Sequence, residues 1–169
     1  MKAILFLCFT ISLQLVQCQT AHQNHSEKEI NAVLEAWHKA AAQADFDGYF
    51  GLMTSDSYFL GTDATENWNY EEFKAYSKPH FDKGKAWSFS TLDRNIFVKE
   101  GDDMAWFDEH LDTQMGICRG SGVLKKTNGS WKIEHYVLSI AVPNENVAEL
   151  TATKKEWDSL QTIVFKKKQ

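Results

Sequence analysis

The sequence contains few cysteines, and this scarcity limits how the protein can be stabilised. Three are present in 169 residues, Cys8, Cys18 and Cys118. The first two belong to an N-terminal segment with the features of an export signal, so only Cys118 is certain to remain in a mature chain. An internal disulfide framework is therefore excluded, and stability must come from core packing. Cys118 lies in an apolar stretch, which favours a small buried side chain over a nucleophile.

Sequence features typical of nucleic-acid, metal and cofactor binding are also missing. The formal net charge is −5 and the only basic cluster, residues 166–168, ends the chain, so we expect no nucleic-acid partner. The six histidines show no HxH or HExxH spacing and no cysteine pair accompanies them, which predicts no metal site. No glycine-rich phosphate loop precedes a helix, and we expect no cofactor.

The N-terminal segment is typical of an export signal. Lys2 precedes an apolar stretch from Ala3 to Val16, shorter than the roughly 20 residues that a membrane-spanning helix needs. Cleavage after Cys18 would give a secreted or periplasmic protein that begins at Gln19. Two alternatives stay open: a lipoprotein anchored to a membrane through Cys18, or an uncleaved anchor or buried helix.

The length suits one domain with its own core. We predict an export signal over residues 1–18, a tether over 19–27, the folded domain over 28–143 and a C-terminal helical extension over 144–169. The extension carries apolar residues among charges, and we expect it to lie on the domain.

Apolar residues recur at helical spacing in the first half of the domain. A capping-box pair, Ser26 and Glu29, predicts the start of the first helix, and DFDGYFGLM predicts a short second one. Asn69 and Glu72 predict the cap of a third helix, which Pro79 ends or bends.

The second half is typical of strands. After an early strand, SDSYFLG, we predict strands in AWSFSTL, NIFVKE, AWFDEHLDT, GICRGSGVLKK and SWKIEHYVLSIAV. Asn128 and Gly129 predict a tight hairpin. Helices followed by antiparallel strands indicate an α+β fold: about three N-terminal helices on a strongly curved antiparallel sheet, forming a cone, plus a C-terminal helix.

Two stretches resemble a known family. They are RGSGVLKKTNGSWKIEHYVLSIAVPNE, preceded by AWFDEHLDT, and the opening EINAVLEAWHKAAAQADFDGYFGLMTSDSYFLGTD. Both are similar to SnoaL-like proteins of the nuclear transport factor two-like superfamily, and the likeness covers Glu29 to about Glu145. The resemblance implies a cone-shaped, often dimeric domain with a pocket that relatives use as isomerases, cyclases or dehydratases, or without assigned activity.

Alternation along the predicted strands places polar residues on one face. If the turn TQMG pairs His110 with Arg119, Asp108 faces Ser121 and Trp106 faces Val123. This polar face either meets solvent or a partner copy, which patterning favours, or lines the pocket.

A pocket position would allow acid–base chemistry. Asp108 would act as a general base beside a carbonyl, Tyr58 or His110 would donate to the oxyanion, and Arg119 would bind the ligand. The alternative is a structural ion pair between Asp108 and Arg119.

Aromatic residues make up 13% of the chain, and most are expected in the core. A few at the mouth of the cone could form a wall for a flat or apolar ligand. The residues that we predict to bind ligand are Trp68, Trp87, Trp106, Arg119, Asp63 and Tyr136.

These observations leave three functions open. The first is an exported domain that binds a small, largely apolar molecule in its cone. The second is a lyase or isomerase that uses general acid–base chemistry without a cofactor. The third is a non-catalytic adaptor, and we expect a homodimer in each case because symmetric pairs dominate soluble oligomers.

Overall fold

The computed structural model describes residues 25–99 and 101–168, and the predicted export signal lies outside this part of the chain. Residues 25–42 form helix α1. Because residue 25 is already helical, Ser26 does not cap this helix, and the last residues assigned to a tether belong to α1. The elements that follow are α2 (Phe46–Gly51), β1 (Met53–Leu60), β2 (Asn67–Asn69), α3 (Tyr70–Asp82), β3 (Ser90–Phe97), β4 (Met104–Thr113), β5 (Gly116–Thr127), β6 (Ser130–Ile140), a 3-10 turn (Asn144–Asn146) and α4 (Val147–Lys166).

Six strands form one open sheet in the order β2-β1-β6-β5-β4-β3. Among the strands of the described residues, only β1 and β6 pair in parallel. Register shifts interrupt the β1–β6, β3–β4 and β5–β6 ladders, and such bulges bend a sheet. The α+β fold with a curved sheet and a C-terminal helix is therefore confirmed. The two strands expected in AWSFSTL and NIFVKE are one strand, β3, and the short β2 was not predicted.

Local sequence signals account for several boundaries. The Asn69 side chain accepts from the Glu72 backbone N–H while the Glu72 carboxylate accepts from the Asn69 N–H, so the predicted capping box starts α3. Pro79 lies inside this helix, which ends three residues later at Asp82. Asn128 and Gly129 both have positive φ and connect β5 to β6 as the predicted hairpin.

The core lies between the helices and one face of the sheet, which we call the inner face. Ala105, Phe107 and Leu111 of β4 are buried there, and Cys118 of β5 is a buried free thiol. Trp37 of α1 stacks on Tyr49 at 4.8 Å between ring centroids and meets Tyr136 edge-on at 4.8 Å. Aromatic packing thus fills the interior in place of disulfides.

Helix α4 differs from this core. None of its residues is buried, and its large apolar side chains are exposed. The helix was predicted correctly, but the expectation that it lies on the domain is wrong. Among the elements from α2 onwards, the 3-10 turn that precedes α4 is its main neighbour.

Candidate functional site

An aromatic pocket opens where helix α3 meets strands β1 and β2 and the β4–β5 turn. Its volume is about 190 Å³. Six of the twelve lining side chains are aromatic. The lining residues are Phe59, Gly61, Thr62, Glu66, Trp68, Phe73, Tyr76, Trp87, Phe89, Gln114, Met115 and Leu138.

The capping box at Asn69 fixes one wall of this pocket. It starts α3 directly after β2, so Phe73 and Tyr76, three residues apart, lie on one face of the helix beside Trp68. The ring centroids of Trp68 and Tyr76 are 4.3 Å apart, and those of Trp68 and Phe73 are 5.8 Å apart. These ring contacts keep this side of the pocket in place in the absence of a ligand.

Phe59 of β1 connects the pocket to the core. Its ring stacks on Phe73 at 4.1 Å between centroids and on Tyr136 at 5.5 Å. Tyr136 is fully buried, so it lies beneath the pocket rather than in its lining. The floor of the pocket is therefore continuous with the packed interior.

The loop between β1 and β2 holds the carboxylate of Glu66 at the mouth. The Asp63 backbone N–H donates to Glu66 Oε2 at 3.1 Å, and the Gly61 N–H donates to the Glu66 carbonyl at 3.0 Å. A Cβ at position 61 would collide with the Glu66 carboxyl group in its present position, so glycine leaves room for this close approach. The backbone thus sets the position of the acid.

Glu66 is the only charged residue among the described residues that line the pocket. No Lys, Arg or His side chain in residues 25–99 and 101–168 forms an ion pair with it. Burial and the negative charge of Glu66 raise the pKa of Tyr76 above its usual value. The mouth therefore combines an uncompensated negative charge with a phenol that stays protonated at neutral pH.

A second carboxylate lies deeper, at the centre of the inner face. Glu109 of β4 is 1% exposed. Its Oε1 accepts from His38 Nε2 and from the Tyr136 hydroxyl, both at 2.9 Å. Its Oε2 accepts from Arg94 Nε at 2.9 Å and Nη2 at 2.7 Å. Four donors satisfy this acid, which links α1, β3, β4 and β6.

The charges in this network shift two pKa values in opposite directions. Burial alone would raise the pKa of Glu109, but the hydrogen bonds and charges of His38 and Arg94 outweigh it, so the pKa lies below its usual value. Burial, reinforced by the Glu109 charge, raises the pKa of Tyr136 well above its usual value. An ionised Glu109 with a neutral Tyr136 is thus the stable arrangement at neutral pH.

The strand register predicted from alternation is confirmed. His110 pairs with Arg119, Asp108 with Ser121 and Trp106 with Val123. These residues lie on the face of the sheet opposite the core, which we call the outer face. Alternation along β4 buries Ala105, Phe107, Glu109 and Leu111 instead.

The outer face keeps several predicted site residues away from the aromatic pocket. Asp108 accepts from Asn95 Nδ2 at 2.9 Å, and His110 Nδ1 lies 2.7 Å from Asp93 Oδ1. The residues that share this face and do not line the pocket are Tyr58, Trp106, Asp108, His110 and Arg119. The hypothesis that these residues line the pocket is therefore wrong. Any chemical role for them stays a prediction.

Four other predicted residues lie in or near the pocket. Trp68 and Trp87 line it. Asp63 belongs to the loop at the mouth, but its carboxylate accepts from Thr65 and is not part of the lining. Tyr136 is in the core and donates to Glu109.

The sequence contained a signal for Glu109 that the prediction missed. Alternation places this acid in the middle of the apolar set of β4, and a buried carboxylate requires partners. Glu66 had no such signal, because its position depends on a hydrogen-bonded loop rather than on a strand or helix pattern.

No group of three or more His, Cys, Asp or Glu residues within 25–99 and 101–168 is arranged to hold a metal ion. Among the described helices, none has the length and hydropathy to cross a membrane.

The fold agrees with comparisons to known proteins. The SnoaL-like domain model matches residues 30–143, and the chain therefore belongs to the SnoaL-like family. Comparison with curated protein sequences gives no significant match.

Solved structures support the same fold. An NTF2-like protein of unknown function from Pseudomonas putida has 15% identity over 73% of this chain and 92% of that chain, with a TM-score of 0.60. A protein from Streptomyces avermitilis, suggested to be a dehydratase of the NTF2-like family, has 14% identity over 72% and 99%, with a TM-score of 0.61. The association domain of CaMKII from C. elegans has 20% identity over 69% and 97%, with a TM-score of 0.57. At such identities the likeness concerns the fold alone.

Proposed function

We propose that this domain binds a small, largely apolar molecule in the aromatic pocket. The observation that carries the proposal is the lining, in which six aromatic side chains surround a cavity of about 190 Å³. An apolar cavity of about 150 Å³ is large enough to hold benzene, so this one suits a single-ring compound. A few polar groups at an otherwise aromatic pocket are typical of small-molecule sites.

A lyase or isomerase is less well supported by the geometry. The acid–base candidates Asp108 and His110 belong to the outer face, and the ionisable groups in the pocket are Glu66 and Tyr76. The dehydratase suggestion belongs to a neighbour of 14% identity and transfers no residue roles. Binding is therefore the function to test first.

The binding proposal can be tested by calorimetry and thermal shift with toluene and benzyl alcohol. A ligand that binds only the folded state raises the unfolding temperature in a concentration-dependent way. Trp68→Leu should weaken binding at least about fivefold because it removes a pocket wall. Trp106→Leu is the matched control, since Trp106 is 51% exposed and stacks on Phe97 outside the pocket. Equal affinities for the two variants would contradict the proposal.

We also propose a homodimer that uses the outer face. Paired residues on neighbouring strands form an exposed or half-buried row of Phe97, Trp106, Val123, His135 and Tyr58. Exposed surface that is largely aromatic and apolar favours self-association. Sedimentation at micromolar concentration should give a dimer that Trp106→Glu dissociates, and a monomer at every concentration would contradict the proposal and the adaptor alternative with it.

Export remains a proposal based on the N-terminal segment. Intact-mass analysis of the natively produced protein should show a free terminus at Gln19. A diacylated Cys18 would instead indicate membrane anchoring, and a retained Met1 would contradict both.

A further inference from the structure

The aromatic pocket has an electrostatic feature that its apolar lining does not explain. Glu66 brings a full negative charge to the mouth, and no cationic side chain of the described residues compensates it. A carboxylate beside an apolar cavity loses part of its hydration when a ligand covers it, and a neutral ligand leaves that loss uncompensated. The pocket is therefore better matched to a ligand that carries a positive charge.

The Glu66 side chain is held in place for such a contact. Its Oε2 accepts the Asp63 backbone N–H, whereas no described residue donates to Oε1. Gly61 leaves room for the carboxylate beside the loop backbone. One oxygen is thus anchored to the protein and the other is available to a donor in the pocket.

The size of the cavity limits the ligand further. About 190 Å³ accommodates one six-membered ring and one or two additional heavy atoms. The aromatic walls surround the ring, and Glu66 is at the mouth, so the charged group of the ligand must lie close to the ring. The negative net charge of the chain, −5, also attracts cations to the protein surface.

We propose that the pocket binds a small single-ring amine, with its ring among the aromatic side chains and its ammonium group donating to Glu66. This inference rests on the proposed binding function and adds the charge of the ligand. An ammonium–carboxylate hydrogen bond is about twice as strong as a neutral one, so the amine binds about tenfold more tightly than a neutral isostere.

The experiment compares three ligands of nearly equal shape and different charge. Benzylamine, benzyl alcohol and benzoate are titrated into the full chain by calorimetry at pH 7 and low salt. Benzylamine is expected to bind about tenfold more tightly than benzyl alcohol, and benzoate the least tightly of the three. The preference for the amine should decrease as salt is added, because part of it is a screened charge interaction.

Glu66→Gln tests the residue assignment. The glutamine retains an oxygen for the Asp63 N–H but has no charge, so the tenfold preference for benzylamine over benzyl alcohol should disappear. Glu71→Gln is the matched control, because Glu71 is exposed in the first turn of α3 and does not line the pocket. Circular dichroism of both variants checks that they are folded.

The failures of the two proposals are distinguishable. Equal affinities for benzylamine and benzyl alcohol in the unmodified protein would overturn the amine inference and leave the pocket proposal intact. An amine preference that persists in Glu66→Gln would overturn the role of Glu66. No binding of any of the three compounds at millimolar concentration would overturn the binding function and the inference together.

Discussion

The carboxylates of Glu109 and Glu66 are held in opposite ways. Glu109 is buried and accepts from four donors supplied by three side chains. Glu66 lies at the mouth of the aromatic pocket, where it has one backbone donor and no cationic partner among residues 25–99 and 101–168. A fully satisfied acid stabilises the fold, whereas an acid with a free oxygen beside a cavity is available to a ligand.

Replacing each of these glutamates by glutamine should separate the structural role from the ligand-binding role. Glu109→Gln is expected to lower the free energy of unfolding by about 3 to 5 kcal/mol, because the side chain of Arg94, itself 3% exposed, loses its buried charge partner. The amide hydrogens of the new glutamine would also face existing donors. Chemical denaturation followed by tryptophan fluorescence measures the change.

Glu66→Gln is the control for that measurement. Its effect on the free energy of unfolding should be about 0 to 1 kcal/mol, because no buried partner is lost. Similar losses at the two positions would contradict the distinction between a structural and a ligand-facing acid.

The pH dependence of stability should depend on Glu109. Its pKa in the folded state is lowered, so its contribution is present above the unfolded value of about 4.3 and is lost as pH falls through the folded pKa. Stability of the unmodified protein should therefore decrease towards acid, and its advantage over Glu109→Gln should narrow there. Denaturation series at several pH values between 3 and 7 measure both curves. A constant difference over that range would show that the network does not require an ionised Glu109.

Whether a feature of the fold or of the site could be predicted from the sequence depends on how far apart its interacting residues lie in the chain. The α3 cap at Asn69 and the pairing of His110 with Arg119 depend on residues close in the chain, and both were predicted. Alternation favoured the more apolar face of β4 as the buried one but did not decide it, since acids lie at both 108 and 109. The deciding partner, His38, is 71 residues away from Glu109. The mouth of the pocket depends on loop hydrogen bonds around Glu66, which no periodic pattern encodes.

Asp108→Asn provides a smaller test of the two sheet faces. Asp108 is adjacent to Glu109 in sequence but accepts from Asn95 on the outer face. The change should alter the free energy of unfolding by about 0 to 1 kcal/mol and leave binding in the aromatic pocket unchanged. Denaturation and calorimetry on the same preparation measure both quantities. Loss of ligand affinity would restore Asp108 to the pocket and contradict the face assignment.

Removal of helix α4 should have the smallest effect on the folded domain. A chain that ends at Asn146 loses no buried side chain, since α4 contains none. We expect the free energy of unfolding to change by less than about 1 kcal/mol, because exposed residues contribute little. Denaturation at two protein concentrations compares the truncated and full chains. The apolar residues exposed on α4 include Leu150, Trp157 and Leu160. A loss of stability above about 2 kcal/mol, or a concentration dependence seen only in the full chain, would contradict this expectation. Either result would mean that a second copy covers these residues in solution.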